Sequence, residues 1–291
     1  MKKSIISTEI WSARTVLGEE KAVEAVAKAG FDAWDFSMFH NIVKYNWNTR
    51  TATPVDHPLA GSNYLAFARQ LKRIGEDNGI FCNQSHAPFP ISCKTIVDTL
   101  KRCLELTAEA GGKICVIHPD NNKTPEENAE TYFNLLPFAK QVGVKIATEN
   151  MWNWNDEKGH AAPAACSHHD NFLAHIKAVN DDYLVACLDL GHAEMKGLDT
   201  SIPQMVKTLG PHLQALHIHD NNKLNDNHWL PYEMDIDFTA AAKALKEIGY
   251  KGEFTMEADA YPTSQTDIHK ALKDMAVAAR RFADEFESIE I

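Results

Sequence analysis

The sequence is constrained most by a series of short apolar segments that each end in a side chain able to bind a divalent metal ion. Four such segments follow one another in the second half of the chain and end at Glu149, Asp189, His217 and Glu257. Each has the pattern of a buried parallel strand with a polar residue at its C-terminal end. An unpaired buried charge costs several kcal/mol, so packing alone does not explain these side chains, whereas shared coordination of a cation would remove that cost.

An alternation of strand-like and helix-like patterns runs through the whole chain. Eight β-like runs are each followed by a helical pattern, which is typical of a parallel sheet with helical crossovers. From His86 onward, the strand-end residues recur every 28 to 40 positions, about one β/α unit each. This repeat favours a single-domain α/β fold, a closed (β/α)8 TIM barrel spanning residues 1–291, over an open doubly wound sheet.

Local signals mark several boundaries in this pattern. Thr124-Pro-Glu-Glu127 predicts a helix start with a capping box and a proline at the first helical position. A helix from about Glu19 should stop at Gly30, and residues 37–60 form a long connection after the second strand. Loops of that length are usually functional or mobile, and this one contains Phe39, Tyr45 and Trp47.

Composition argues against several other classes of protein. With 29 basic against 40 acidic residues, a net charge of -11 disfavours a broad nucleic-acid surface, so no nucleic-acid partner is expected. There is no apolar run of 18 residues, and the N-terminus lacks a signal peptide, so we expect a cytoplasmic protein without a membrane partner. Six scattered cysteines without a CxxC pair fit small core residues in a reducing compartment. No GxGxxG or Walker A motif supports nucleotide binding.

The strand ends of such a barrel converge on one rim, where active sites of this architecture lie. A carboxylate-rich set with one imidazole suits one divalent metal ion, with Mn, Mg, Co or Zn all possible and a coordination position open to substrate oxygens. A metal holding two vicinal oxygens of a sugar would stabilise the enediolate formed when the neighbouring C–H proton leaves. Glu149 and Glu257 could then act as base and acid. Groups on opposite faces of the sugar would give epimerisation, and one shuttling group would give aldose–ketose isomerisation.

Other polar and aromatic residues near the predicted rim are candidates for binding a small-molecule sugar substrate. Each also has a purely structural interpretation, such as a helix cap for His192 or a bond to backbone for the two histidines that precede prolines. The candidates are His86, His118, His192, Asp226, His228, Trp11 and Trp152. Trp47 and Trp154 could contribute further aromatic faces, whereas Glu9 is more consistent with a structural role.

Seven motifs between residues 85 and 257 match a known family as an ordered set. They are Ser85-His-Ala-Pro-Phe89, Ile117-His-Pro119, Thr148-Glu-Asn150, Leu188-Asp-Leu-Gly-His192, Leu216-His-Ile-His-Asp220-Asn, Asp226-Asn-His-Trp-Leu-Pro231 and Met256-Glu257. With them the chain resembles the xylose isomerase-like barrel superfamily of sugar phosphate isomerases and epimerases, which also contains endonuclease IV. The resemblance implies that Glu149, Asp189, His217 and Glu257 bind one metal ion, that the two glutamates are catalytic and that His192 contacts substrate.

The resemblance to endonuclease IV implies a different function for the same rim. By this resemblance, a three-zinc site would be completed by His86, His118, His192, Asp226 and His228. The alternative function is therefore a zinc-dependent abasic-site endonuclease. The acidic net charge and the aromatic rather than basic loops favour the sugar enzyme. So does the segment from His228 to Glu233, although Tyr232 and Met234 replace glycines that are usual in the epimerase loop. A non-catalytic sugar-binding barrel is a third hypothesis, and both glutamates argue against it.

The identity of the substrate is less constrained. A sugar, a sugar phosphate or a sugar acid would each fit the enediolate chemistry. The basic residues near the rim motifs are few, which favours a free sugar: Lys44, Arg50, Lys158, Lys196 and Lys223. The resemblance implies a homodimer or a homotetramer.

Overall fold

The computed structural model describes residues 3–46, 48–93 and 95–291, and Trp47 lies outside them. The strands are β1 Ile6–Glu9, β2 Ala33–Ser37, β3 Val43–Asn46, β4 Thr51–Pro54, β5 Phe81–His86, β6 Ile114–Val116, β7 Lys145–Glu149, β8 Asn153–Asn155, β9 His160–Ala162, β10 Leu184–Asp189, β11 Leu213–His217 and β12 Phe254–Met256. Five of the predicted strand-end residues are the last residues of their strands: Glu9, His86, Glu149, Asp189 and His217. Glu257 follows β12 directly, and His118 lies two residues past β6.

Helices alternate with these strands and cover the outside of the sheet. They are α1 Trp11–Leu17, α2 Glu19–Ala29, α3 Tyr64–Asp77, α4 Ile96–Ala110, α5 Pro125–Val142, α6 His169–Val179, α7 Leu190–Ala193, α8 Ile202–Leu209, α9 Phe238–Glu247, α10 Ala260–Thr263 and α11 Ile268–Ser288, with a short 3-10 turn at Gly210–His212. In the described parts of the chain, none of these helices has both the length and the apolar character that crossing a membrane requires.

Eight of the strands form one parallel sheet in the order β11-β10-β7-β6-β5-β2-β1-β12. The sheet closes on itself between its two end strands, because the Ile218 amide donates to the Thr255 carbonyl and the Glu257 amide donates to the Ile218 carbonyl, both at 2.9 Å. Helices lie between successive strands of this sheet, so the (β/α)8 TIM barrel predicted from the repeat is confirmed.

The main apolar core lies between the barrel and its helices and includes Trp34, Phe172 and Phe282, all fully buried. A separate small cluster lines the inside of the barrel and consists of Val116, Ala147, Val185, Cys187 and Ala215. Side chains alternate between the two faces of a strand, so Glu149 and His217 share the inward face with the cluster residues two positions before them. Each therefore projects into the C-terminal mouth of the barrel.

Two of the predicted boundaries follow from visible local chemistry. The Thr124 hydroxyl accepts from the Glu127 amide at 3.3 Å, and the Glu127 carboxylate accepts from the Thr124 amide at 2.8 Å, so the capping box is formed. Gly30 ends α2 in the left-handed region, with φ 103°. The long connection after β2 is not simply a loop, because it contains the antiparallel hairpin of β3 and β4. A second hairpin, of β8 and β9, follows β7.

Candidate active site

A cavity of about 1060 Å³ opens at the C-terminal end of the barrel. Its lining includes residues from every group of site candidates predicted from sequence: Trp11, His86, His118, Glu149, Trp152, His192, Asp226, His228 and Glu257. Asp189 and His217 are fully buried at the same end of the barrel. The barrel thus brings to one cavity side chains that are far apart in sequence, such as Trp11 and Glu257.

The two predicted acid–base glutamates meet at one imidazole. His217 Nδ1 lies 3.0 Å from Glu149 Oε1 and 3.2 Å from Glu257 Oε2. Glu149 and His217 are the last residues of β7 and β11, and Glu257 follows β12 directly. Both glutamates line the cavity, so their carboxylates can reach a molecule bound there.

The environments of the two glutamates drive their pKa values apart. Burial raises the pKa of Glu149, but His217 and His118 outweigh that effect and hold the pKa well below its usual range. Burial also raises the pKa of Glu257, and there the opposing charge of His217 is offset by the nearby negative charge of Glu149. Two carboxyl groups with opposed shifts are the arrangement expected of a base and an acid.

His86 and His118 extend the group around Glu149. His118 Nε2 lies 3.1 Å from Glu149 Oε2, and His86 Nε2 lies 3.6 Å from the same oxygen. Burial lowers the pKa of His118 to about 4, so its imidazole is neutral at physiological pH and has a lone pair to offer. Phe89 stacks on the His118 ring with the centroids 4.7 Å apart. The ligand atoms of His86, His118 and Glu149 are close enough together to share a metal ion.

A second group of ligand-type side chains lies beside the first and consists of His192, His219, Asp226 and His228. Asp226 Oδ2 is 3.2 Å from both His192 Nε2 and His228 Nε2. Burial lowers the pKa of His192, but Asp189 and Asp226 outweigh it and raise the pKa to about 10. Trp152 adds an indole N–H that donates to Asp226 Oδ2 at 3.3 Å.

Asp189 lies between the two groups. It pairs in register with His217 across β10 and β11, while its Oδ1 is 3.1 Å from His219 Nε2 and accepts from the His192 amide at 2.7 Å. Asn150 bonds both the amide and the carbonyl of Asp189 and so fixes the end of the strand. The Asp189 carboxylate thus contacts histidines of the second group, while its backbone pairs with His217 of the first.

The chemistry of these residues fits a divalent cation. Asp189 Oδ2 is buried and forms no hydrogen bond with any residue in the described ranges. A desolvated carboxylate oxygen of this kind is costly unless a cation or a donor reaches it. Carboxylates together with imidazoles are a donor set that suits Mn²⁺, Zn²⁺ and related ions.

The aromatic candidates take different positions. Trp11 lines the cavity and packs against Phe39, with ring centroids 6.0 Å apart. Trp152 lines it as well. Trp154 instead lies on β8 with 42% of its surface exposed, which leaves Trp152 as the wall residue of the predicted pair.

Three polar residues at this end of the barrel were missed in the sequence. His219 and Asp259 each stand two positions after a predicted ligand, His217 and Glu257, and that spacing was a usable signal of a shared direction. Asp259 Oδ1 lies 3.2 Å from His228 Nδ1. Asp35 is a single aspartate inside an apolar strand, and no pattern in the sequence indicated which residue it would contact.

A family model described as "Xylose isomerase-like TIM barrel" matches residues 23–282. The chain belongs to this family. Among sequence relatives, an uncharacterized protein of Methanocaldococcus jannaschii is 28% identical over 254 residues, covering 81% of this chain and 78% of that protein. An uncharacterized protein of Sinorhizobium fredii is 24% identical over 204 residues, covering 63% of this chain and 62% of its own length.

Solved structures similar to this xylose isomerase-like barrel include several sugar epimerases. A D-tagatose 3-epimerase-like protein superposes with a TM-score of 0.70 at 20% identity, covering 97% of each chain. The 3-keto-D-glucoside 4-epimerase YcjR of E. coli gives 0.70 at 15% identity, covering 96% of this chain and 99% of its own. An L-ribulose 3-epimerase gives 0.68 at 18% identity over 99% of each chain. At these identities the likeness is one of fold.

Proposed function

We propose that this protein is a divalent-metal-dependent sugar isomerase or epimerase that works through an enediolate, with Glu149 and Glu257 as its acid–base pair. The observation that carries the proposal is the meeting of both glutamates at His217 Nδ1, at 3.0 and 3.2 Å, on the wall of a cavity open to a ligand. The names of the structurally similar epimerases support the same reaction class.

The opposed pKa directions of the two side chains, which hold for the residues without a bound cation, support one assignment of roles. Glu149, held in its ionised form, removes the proton from the carbon next to the substrate carbonyl, and the C–H electron pair moves to give the enediolate. Glu257, with its raised pKa, returns a proton to the carbon skeleton. Delivery by Glu257 to the opposite face of the same carbon gives the epimer. A single glutamate that moves the proton to the adjacent carbon gives the isomer.

A divalent cation, held by Glu149, Asp189, His217 and Glu257, would neutralise the negative charge that develops on the substrate oxygens. The rings of Trp11 and Trp152 offer apolar surface against which the C–H faces of a sugar can pack. Among the residues that the structure describes, the lysine and arginine side chains of the cavity lining are Arg50 and Lys123, so we favour a sugar without phosphate as the substrate.

The group of His192, His219, Asp226 and His228 is the observation that favours a second candidate function. Additional metal ions there would suit a zinc-dependent endonuclease acting at abasic sites. The net charge of -11 weighs against it, because binding the DNA backbone depends on clustered positive charge. We therefore place the nuclease second and propose that nucleic acid is not the substrate.

The test combines elemental analysis of metal per chain with deuterium incorporation from D₂O into a panel of ketoses. The proposal expects bound metal and exchange at a carbon next to the carbonyl. Glu149→Gln and Glu257→Gln should each slow exchange by about 10²- to 10⁴-fold. Glu233→Gln is the matched control, since that carboxylate accepts from the Trp229 indole at 2.9 Å and, among the residues that the structure describes, is not part of the cavity lining.

Two outcomes would overturn the proposal. Exchange at an unchanged rate in both Gln variants would remove the glutamates from the mechanism. Three zinc ions per chain, no exchange with any ketose and cleavage of abasic DNA would establish the nuclease instead.

A further inference from the structure

Most of the histidines at the barrel mouth are oriented by the same kind of hydrogen bond. In four of them Nδ1 bonds a backbone carbonyl, which requires Nδ1 to carry the proton and turns Nε2 toward the carboxylates. The pairs are His86 with Ala87 at 2.9 Å, His192 with Asn150 at 2.8 Å, His219 with Asp220 at 3.3 Å and His228 with Glu257 at 2.7 Å.

His217 is oriented the other way round. Its Nδ1 faces Glu149 and Glu257, and its Nε2 points away from them, toward the inside of the barrel. A side-chain carboxylate lies near Nε2: Asp35 Oδ2 is 3.7 Å away, and both side chains are only 1% exposed. The Cys187 thiol is a second polar neighbour of the His217 ring. A charge-assisted hydrogen bond would need these two atoms to approach by about 1 Å.

The surroundings of Asp35 hold its carboxylate in place. Gln84 on β5 donates its amide to Asp35 Oδ2 at 2.9 Å and lies 3.5 Å from the Leu216 carbonyl, next to His217. Asp35 Oδ1 is buried and has no hydrogen-bond donor among the residues of the described ranges. A buried carboxylate with one amide donor is costly, so its retention in the barrel calls for a specific interaction.

We propose that Asp35 is a positioning residue for His217: it accepts the Nε2 proton, which leaves the Nδ1 lone pair available to the divalent cation of the proposed function. A carboxylate behind a ligating imidazole fixes the tautomer and ring orientation and makes the ligand more basic. The inference rests on the proposed metal centre. It adds Asp35 of β2 to that centre. In the sheet order β2-β1-β12, Asp35 lies two strands away from β12, which Glu257 follows.

The experiment measures Zn²⁺ affinity of the full chain by competition with a chelator, which needs no sugar substrate. Asp35→Asn should weaken Zn²⁺ binding by about 10- to 100-fold, the usual effect of losing such a partner. Asp35→Glu, which keeps the charge, should recover part of the affinity. Asp220→Asn is the control: Asp220 is also a buried carboxylate, but it accepts from the backbone amides of Met234 and Ile236. It should lower stability without changing affinity.

A second measurement uses the wild-type protein alone, so it stands even if the variants fail to fold. The ¹⁵N shifts of the His217 ring in the Zn²⁺-loaded protein should show a protonated Nε2 and a ligating Nδ1. Ligation through Nε2, or full affinity in folded Asp35→Asn, would overturn the role of Asp35 and leave the proposed function intact. A wild-type chain that binds no Zn²⁺, Mn²⁺, Mg²⁺ or Co²⁺ would overturn both.

Discussion

Glu9 is a strand-end carboxylate that serves the fold and not the cavity. Its two oxygens accept from the amide and the hydroxyl of Ser12 at the start of α1, at 2.9 and 2.5 Å. Burial, reinforced by the negative charge of Asp259, raises the pKa of Glu9 to about 8. The structural interpretation of this residue is thus supported by its contacts, and it makes a pH-dependent contribution to stability.

The sign of that contribution follows from the two pKa values. The unfolded chain loses the proton near the ordinary value of 4.5, whereas the folded chain keeps it up to about 8. The free energy of unfolding should therefore fall as the pH rises between these values. Glu9→Gln, which cannot ionise, should flatten the decline in melting temperature measured from pH 5 to pH 8. Glu24→Gln, a change at the protein surface, is the control and should show the same decline in melting temperature as the wild type. The same pH dependence of melting temperature in all three proteins would contradict the raised pKa of Glu9.

Helix α5 shows how far a local signal can determine an element. Its capping box satisfies the amides of Thr124 and Glu127 reciprocally, and a proline occupies the first helical position. The start of this helix was predicted from four residues because every interaction that defines it lies within them. The hairpin of β3 and β4 depends instead on pairing over several residues, and it was not predicted from the sequence.

Removal of the Thr124 hydroxyl should destabilise the protein by about 1 kcal/mol, the typical cost of losing an N-cap side chain. Thr124→Ala is expected to lower the urea midpoint without a change in slope. Thr124→Ser keeps the hydroxyl and serves as the matched control. Equal midpoints for the two variants would mean that the cap bond at 3.3 Å contributes little.

At the scale of the whole molecule, the proposed cation would join neighbouring strands across the point where the barrel closes. Glu149 and His217 come from β7 and β11, and Glu257 comes from the end of β12, which closes the sheet. An ion bound only by the folded state stabilises it by about 2.7 kcal/mol at a 100-fold excess over Kd. The barrel should therefore lose stability when the ion is removed.

Chelation should accordingly lower the melting temperature by roughly 5 to 10 °C, since 1 kcal/mol corresponds to about 2 to 4 °C for chains of this size class. Calorimetry with and without EDTA measures the shift, and re-addition of Mn²⁺ or Zn²⁺ should restore it. Glu257→Gln should show a smaller shift, and Glu233→Gln should match the wild type. Identical melting temperatures in EDTA and in excess metal would argue against a cation that links the strands.

The sequence alone determined the architecture and most of the rim. Strand and helix periods, caps and strand-end residues are local patterns, and the (β/α)8 repeat turns them into a prediction that residues such as Glu149 and Glu257 converge. It could not determine which atoms meet, because those contacts depend on strand register and on closure of the sheet. Only the tertiary structure directed Asp189 toward His219, turned His217 opposite to its neighbours and set Asp35 behind it. These contacts join residues far apart in sequence, and the residues next to each one in the chain do not indicate which partner it will contact.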